Sequence, residues 1–426
     1  MPLAEAPVPT PERAIAWYQR NRARSRGIFD LVDPAAYYSR PIRLRNPVVF
    51  YEGHLPAFGV IAFIKRGLGR AGVHEPMEAV FARGIDPEDE ASAVPRSGAS
   101  TVWPSRDDVL AYGRAVDELI LDALREPPLE DPEAEARRLE GLYTALEHEA
   151  MHQETLLYMW HELPHEQKRR PRDYRVTTGG SPPDPFRVPI AAGRVRLGAE
   201  RDDLPFGWDN EFPARDVEVA GFEIDVHNVT NLDYRRFVEQ GADPPHFWVR
   251  RGTEWYWRGM FDDLPLPPAW PVYVTQEQAA AFAAWKGGRL PTEADYHRAA
   301  YGVPDGSAER PQPWGAAPAD ATRGNFDFLS YDPMPVGSFP QGASAFGLQD
   351  LVGNGWEWTS SPFEPFPGFQ PMASYPEYSA DFFDGHHVVM KGASPVTARE
   401  LVRRSFRNWF RPNYPYVFAT FRCVYS

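Results

Sequence analysis

The hydrophobic patterning of the chain changes near residue 175, and this break limits the fold more than any single motif does. Before it, apolar residues recur at helical spacing. Pro11-Glu12 puts a proline and an acid at a helix start ahead of Ile15, Trp17 and Tyr18. Residues 46–66 form a second apolar stretch that carries Tyr51 and His54. Ser105 opens a third helix, with Val109, Leu110, Val116, Leu119 and Ile120 on one stripe. A long fourth helix is predicted from 132 to about 163. Four striped helices predict an up-and-down bundle, with residues 84–103 as a loop across one end. Residues 178–186, rich in Gly and Pro, read as a linker. Beyond them Gly, Pro and Trp alternate with short strand-like runs. Only 231–240 and 275–285 read as helices there, and 289–293 reads as a turn. The expectation is an α+β chain, with a helical bundle over residues 1–177 and a loop-rich domain over 187–426.

Composition narrows the function. The 426 residues suffice for one large or two ordinary domains. With 59 Asp+Glu against 45 Lys+Arg, the net charge of -14 argues against nucleic acid or an anionic membrane as partner. No uninterrupted apolar run long enough for a membrane span is read, and the N-terminus lacks the pattern of a secretory leader. A cytoplasmic location is expected. The single cysteine, Cys423, rules out an intrachain disulfide and any site built on a cysteine pair. The 45 Pro and 33 Gly suit irregular structure, and 13 Trp supply core material or boxes for cationic ligands.

The sharpest chemical feature is His148-Glu-Ala-Met-His152-Gln-Glu154 on the fourth helix. Residues four apart share a helical face, so two imidazoles can meet one metal ion. Glu154 lies two residues past His152, about 200° around the helix, and faces away. A third ligand must come from another helix, and His54 is the best-placed candidate. Three histidines with open positions make a catalytic rather than a closed structural site. The bland alternative is a chance pair. His161 and His165 repeat the spacing in a polar setting near the helix end and are expected at the surface.

The second half carries Gly347-Leu-Gln-Asp-Leu-Val-Gly-Asn-Gly-Trp-Glu-Trp-Thr359, preceded by Val229-Thr-Asn-Leu-Asp-Tyr-Arg-Arg-Phe237 and Arg289-Leu-Pro-Thr-Glu-Ala-Asp295, and followed by Phe421-Arg-Cys-Val424. In this order they resemble the landmarks of the formylglycine-generating-enzyme fold, a loop-rich, C-type-lectin-like α/β domain. Gly353-Asn354 and Trp356-Glu-Trp358 are read as core and turn residues that hold that fold. Formylglycine generation uses two cysteines, and this chain has one.

A DinB-like bundle with His-x-x-x-His-x-Glu joined to such a domain resembles the ergothioneine-type nonheme iron sulfoxide synthases, which include the selenoneine synthases. The resemblance implies Fe(II) as cofactor, held by His54, His148 and His152. It implies hercynine, a thiol or selenol donor and O2 as small-molecule partners, with bond formation at imidazole C2. Tyr375, in Tyr375-Pro-Glu-Tyr378-Ser, is similar to the family's proton donor or redox partner. Asn408 and Trp409 match the segment that holds hercynine. An aromatic face there suits a trimethylammonium, which cannot donate hydrogen bonds. Tyr378 is either a substrate contact or a packing aromatic.

Three departures concern substrates. Met151 stands where relatives often carry a glutamine that contacts hercynine. Phe410 stands where relatives using γ-glutamylcysteine carry an aspartate. Arg96 resembles one arginine of the donor site, and Trp103 replaces a second. Burying the charges of γ-glutamylcysteine without partners is costly, so cysteine or a selenosugar is the expected donor, with the selenosugar slightly ahead. The alternatives are an ovothiol-type enzyme acting on histidine and a non-catalytic lectin-like binding module.

Overall fold

The computed structural model describes residues 10–82, 102–306 and 308–426. The chain forms two compact units. One holds the residues through Pro171 together with Met372–Pro376; the other holds the rest of the C-terminal part.

The first unit is helical. Helix α1 (Pro11–Phe29) starts at Thr10, whose side chain accepts from the backbone N–H of Arg13. Helix α2 (Val48–Gly59) runs directly into a π-helical segment, Val60–Gly67. The short α3 (Glu75–Val80) follows. Helices α4 (Arg106–Arg125) and α5 (Pro132–Glu162) begin at Ser105 and Asp131, each of which caps free backbone N–H groups. Helix α5 packs on α1, on α2 and on the π segment, while α4 packs on α1 and α2.

Buried polar bonds set how α5 is turned about its axis. Arg22 of α1 ion-pairs with Asp117 of α4 at 2.9 Å and with Glu149 of α5 at 3.0 Å. Ser25 donates to Glu149 at 2.6 Å, Gln153 donates to the Asn21 carbonyl, and Asn21 donates to the Leu146 carbonyl. Residues 146, 149 and 153 share one face, so satisfying them turns 148 and 152 toward α2. Close approach depends on a glycine. A Cβ on Gly141 would lie 2.4 Å from the Ala62 carbonyl oxygen, so only a bare backbone lets α5 meet the π segment here.

Val48–Gly67 is the apolar stretch expected at 46–66. Its mean hydropathy of 1.3 over an 18-residue window is enough for a membrane span by composition. In the fold 83% of that window is buried, so its apolar character goes into the bundle core.

The second unit is built from short strands. Strands β1 (Arg187–Ile190), β2 (Gly193–Leu197), β3 (Arg215–Val219) and β4 (Phe222–Asp225) precede helix α6 (Asn231–Val238). Strands β5 (Trp248–Arg251), β6 (Glu254–Arg258) and β7 (Asp263–Pro265) form an antiparallel meander. Helices α7 (Gln276–Trp285) and α8 (Glu293–Tyr301) lead to β8 (Gly355–Pro362), the short α9 (Glu377–Ala380), β9 (Val388–Ala393), β10 (Asn408–Phe410), β11 (Ala419–Thr420) and β12 (Val424–Tyr425). The central sheet has the order β10-β9-β8-β11, and β12 joins β4 and β1 in another.

Helix α8 is an addition to the expected elements, since 289–293 reads only as a turn. Its signal is a reciprocal cap: Thr292 accepts from the Asp295 N–H while Asp295 accepts from the Thr292 N–H. The landmark motifs hold the fold. Arg422 and Glu357 are fully buried and paired through two bonds of 2.7 Å, and Arg422 also donates to the carbonyls of Val226 and Gln349. Asn354 takes a left-handed φ of 69°, and its side chain bonds both the N–H and the carbonyl of Met334. Trp358 donates to the Val274 carbonyl at 2.8 Å.

Candidate functional site

The π-continued α2 and the long α5 bring His54, His148 and His152 together. One ligand atom from each lies within 4.8 Å of the others. His54 and His148 are buried and His152 is half-buried. The His54 Nδ1 lies 2.7 Å from the Phe81 carbonyl, and the His152 Nδ1 lies 3.2 Å from the His148 carbonyl. A carbonyl only accepts, so both Nδ1 atoms carry the proton and both Nε2 atoms keep a lone pair. Gly53 makes the first of these bonds possible, because a Cβ there would lie 2.4 Å from the Phe81 ring.

The three rings are held neutral. Burial pulls His54 down to about 4, against the opposing pull of the Phe81 carbonyl. Burial, and then His152 and His54, push His148 well below the ordinary histidine range. Burial and the neighbouring His54 do the same to His152. Neutral imidazoles with free Nε2 atoms are what a divalent first-row metal requires. Glu154 is not part of the group, in line with its position around the helix.

Aromatic rings pack around these ligands. Phe58 stacks on His148 with ring centroids 3.4 Å apart and planes 9° apart. Tyr375 meets Phe58 edge-on at 5.0 Å and stands 6.1 Å from His148. Its segment is anchored in the helical unit. Arg66 donates to the Ser374 carbonyl, Glu140 accepts from the Ser374 N–H, and the Ser374 and Thr144 hydroxyls are 2.7 Å apart. Through these bonds Tyr375, although distant in sequence, belongs to the same compact unit as the histidines.

Trp103 lies one ring further out, against Phe50 and Phe81, and Phe50 in turn stacks on His54 at 5.1 Å. Met151 is half-buried next to His152. Arg96 lies outside the described residues. His161 corrects an expectation: it is 2% exposed, in the core rather than at the surface. The apolar run Leu156 to Trp160 continues the buried face past the polar residues that suggest exposure.

The remaining predicted residues lie in the sheet-rich unit. Trp409 stacks flat on Phe363 at 4.2 Å and meets Tyr378 edge-on at 5.1 Å and Phe382 at 5.7 Å. Asn408 accepts from the Trp409 N–H at 2.9 Å through its Oδ1. Phe410 stacks on Tyr414 instead, as alternation along β10 requires. Tyr378 stacks on Trp208 at 3.9 Å, so packing accounts for much of its surroundings.

Sequence reasoning misses the hub that positions these residues. In Trp208-Asp-Asn-Glu211, Asp209 accepts from Ser379, Asn210 donates to Ser379 at 3.0 Å, and Glu211 binds Arg403 and Ser405. The hub therefore ties α9, which carries Tyr378, to the segment that leads into Asn408. Its one signal is a run of three acid or amide residues between aromatics. Phe58 escapes notice as well, since a phenylalanine in an apolar helix carries no distinguishing mark.

Comparison with known proteins bears on both units. Residues 172–426 match the family described as the Sulfatase-modifying factor enzyme 1-like domain, and residues 18–156 match the DinB superfamily. The chain is 34% identical to a hercynine oxygenase of Mycolicibacterium smegmatis, over 75% of this chain and 78% of that protein. It is 28% identical to ergothioneine biosynthesis protein 1 of Neurospora crassa, over 90% of this chain and 54% of that protein. It is 32% identical to the inactive C-alpha-formylglycine-generating enzyme 2 of Mus musculus, over 44% of this chain and 72% of that protein.

Proposed function

We propose that this chain, which belongs to the hercynine oxygenase family, joins sulfur or selenium to imidazole C2 of hercynine in a reaction that uses Fe(II) and O2. The observation that carries the reading is the convergence of three neutral histidines with Tyr375 packed beside His148. Three nitrogen donors leave coordination positions open, as a catalytic centre needs. Iron held by His54, His148 and His152 would supply the redox chemistry and a common template for the reactants.

The rest of the work falls to side chains. Tyr375 would give or take a proton through its hydroxyl at the reacting centre. Trp409 offers its ring to the trimethylammonium by cation–π attraction. Asn408 has its Oδ1 engaged by the Trp409 N–H, which leaves Nδ2 to donate to the hercynine carboxylate. On the donor side, Phe410 and Trp103 bring aromatic surface and no charge. That favours cysteine or a selenosugar over γ-glutamylcysteine, and sugar rings stack well on aromatic faces. A cytoplasmic location belongs to the same reading.

An aerobic assay with anaerobically Fe(II)-loaded protein tests it. Hercynine is offered with cysteine, γ-glutamylcysteine or a selenosugar in parallel, and products are read by mass spectrometry. A hercynine adduct with cysteine or the selenosugar is expected. Preference for γ-glutamylcysteine would overturn the donor assignment, and preference for histidine over hercynine would point to ovothiol-type chemistry. No adduct from any donor, with no recoverable iron binding, would leave a non-catalytic module.

A further inference from the structure

One cleft in the sheet-rich unit takes no part in the proposed reaction. It lies beside the ends of β4 and β12 and holds about 560 Å³ of empty space, part of it open to solvent. Phe282 of α7, Val229 and Phe186 give it apolar walls, and Phe186 stands 65% exposed.

Three of the polar groups that line it bear on what it can hold. Asn228 is 2% exposed, and neither atom of its amide has a hydrogen-bond partner among the described residues. Buried polar groups are almost always paired, so an orphaned amide lining a cleft marks a missing partner. Among the described residues, the hydrogen-bond and ion-pair partners of Asp225 stand at the long end of the range, and Lys286 also acts on it electrostatically. The Cys423 N–H is at 3.3 Å, the Tyr425 hydroxyl at 3.4 Å and the Arg187 guanidinium at 3.6 Å. Burial also raises the Asp225 carboxyl above its ordinary value. Lys286, an exposed cation at the end of α7, lines the same cleft. Thr230 and Asp233 line it too, but they are engaged with each other in capping α6.

We propose that this cleft binds the zwitterionic head of a free α-amino acid, with an apolar side chain lying against Phe282, Val229 and Phe186. The ligand ammonium would bond the Asp225 carboxylate and the Asn228 Oδ1. The ligand carboxylate would accept from the Asn228 Nδ2 and pair with Lys286. A ligand with both charges satisfies both halves of the Asn228 amide and meets both Asp225 and Lys286 with opposite charge. A plain amine would leave Nδ2 and Lys286 unused, and a plain carboxylate would face Asp225 with like charge. The site is independent of the iron and hercynine residues, since none of those lines it.

Calorimetric titration of the full chain tests this with L-phenylalanine, phenethylamine and 3-phenylpropanoate. Saturable binding of L-phenylalanine at about 1 mM or tighter is expected, with each one-ended analogue at least about tenfold weaker. Asn228→Ala and, separately, Lys286→Ala should each weaken L-phenylalanine about tenfold or more, while Trp409→Ala leaves it unchanged. Lys286 is exposed, so that variant keeps the test open if Asn228→Ala fails to fold. The proposal is overturned if no saturable binding is seen up to about 10 mM, which would leave water as the occupant of the cleft. It is equally overturned if the analogues match the amino acid, if both cleft variants bind like the parent, or if Trp409→Ala abolishes binding.

Discussion

Among single residues, the ligand histidines and their neighbours differ in how they can be recognised. His148 and His152 advertise themselves through helical spacing. His54 does not, and its place in the group depends on a bond to the Phe81 carbonyl and on the missing Cβ of Gly53. Tyr375 stands beside His148, and its part in the reaction has a direct test. Tyr375→Phe should lower the rate of adduct formation by about 10²- to 10⁴-fold. Iron content should be unchanged, because the three histidines supply the ligand atoms and the Tyr375 ring stands 6.1 Å from the His148 ring. A variant that turns over at the parent rate would remove the tyrosine from the mechanism. Trp409→Ala should raise the KM for hercynine by about 3- to 30-fold, the worth of one cation–π contact, with little change in kcat. Steady-state kinetics over a range of hercynine concentrations separates the two parameters.

One level up, helix α5 shows how packing converts a spacing into a site. The His-x-x-x-His pattern recurs at 161 and 165, but the helix ends at Glu162, and only the upstream pair meets His54. The difference lies in where the helix ends and in rotation, since His161 lies about 180° around α5 from His152. The Arg22, Ser25 and Asn21 bonds turn α5, and the bare backbone at Gly141 lets the π segment approach. Gly141→Val should push these elements apart and cost about 1–3 kcal/mol of stability. It should also weaken Fe(II) binding, read by anaerobic titration alongside urea unfolding. Unchanged iron affinity in a destabilised protein would separate the crossing from the site. In the sheet-rich unit, helix α8 is hard to see in the sequence because its cap, Thr292 to Asp295, follows a proline that reads as a stop.

Across the molecule as a whole, two patterns of stabilisation coexist. Both units bury apolar residues together with paired polar groups, and in the sheet-rich unit those buried polar bonds stitch short strands together. Arg422–Glu357 is one such pair, with both side chains fully buried. Arg422→Met should cost about 3–5 kcal/mol by leaving a buried carboxylate unpaired, and Arg422→Met with Glu357→Leu should recover part of the loss. Chemical unfolding of the parent, single and double variants measures this, and equal loss in both variants would contradict it. The two-part architecture, the histidine pair on α5 and the lack of a second cysteine are all legible in the linear chain. Each depends on local spacing or on a residue count, which needs no folding to be seen. Folding alone reveals that Phe58 backs His148, that Trp208 to Glu211 anchors helix α9 with Tyr378, and that the Asn228 amide is buried without a partner among the described residues. Those are relations between residues far apart in sequence, and they exist only once the backbone has closed on itself.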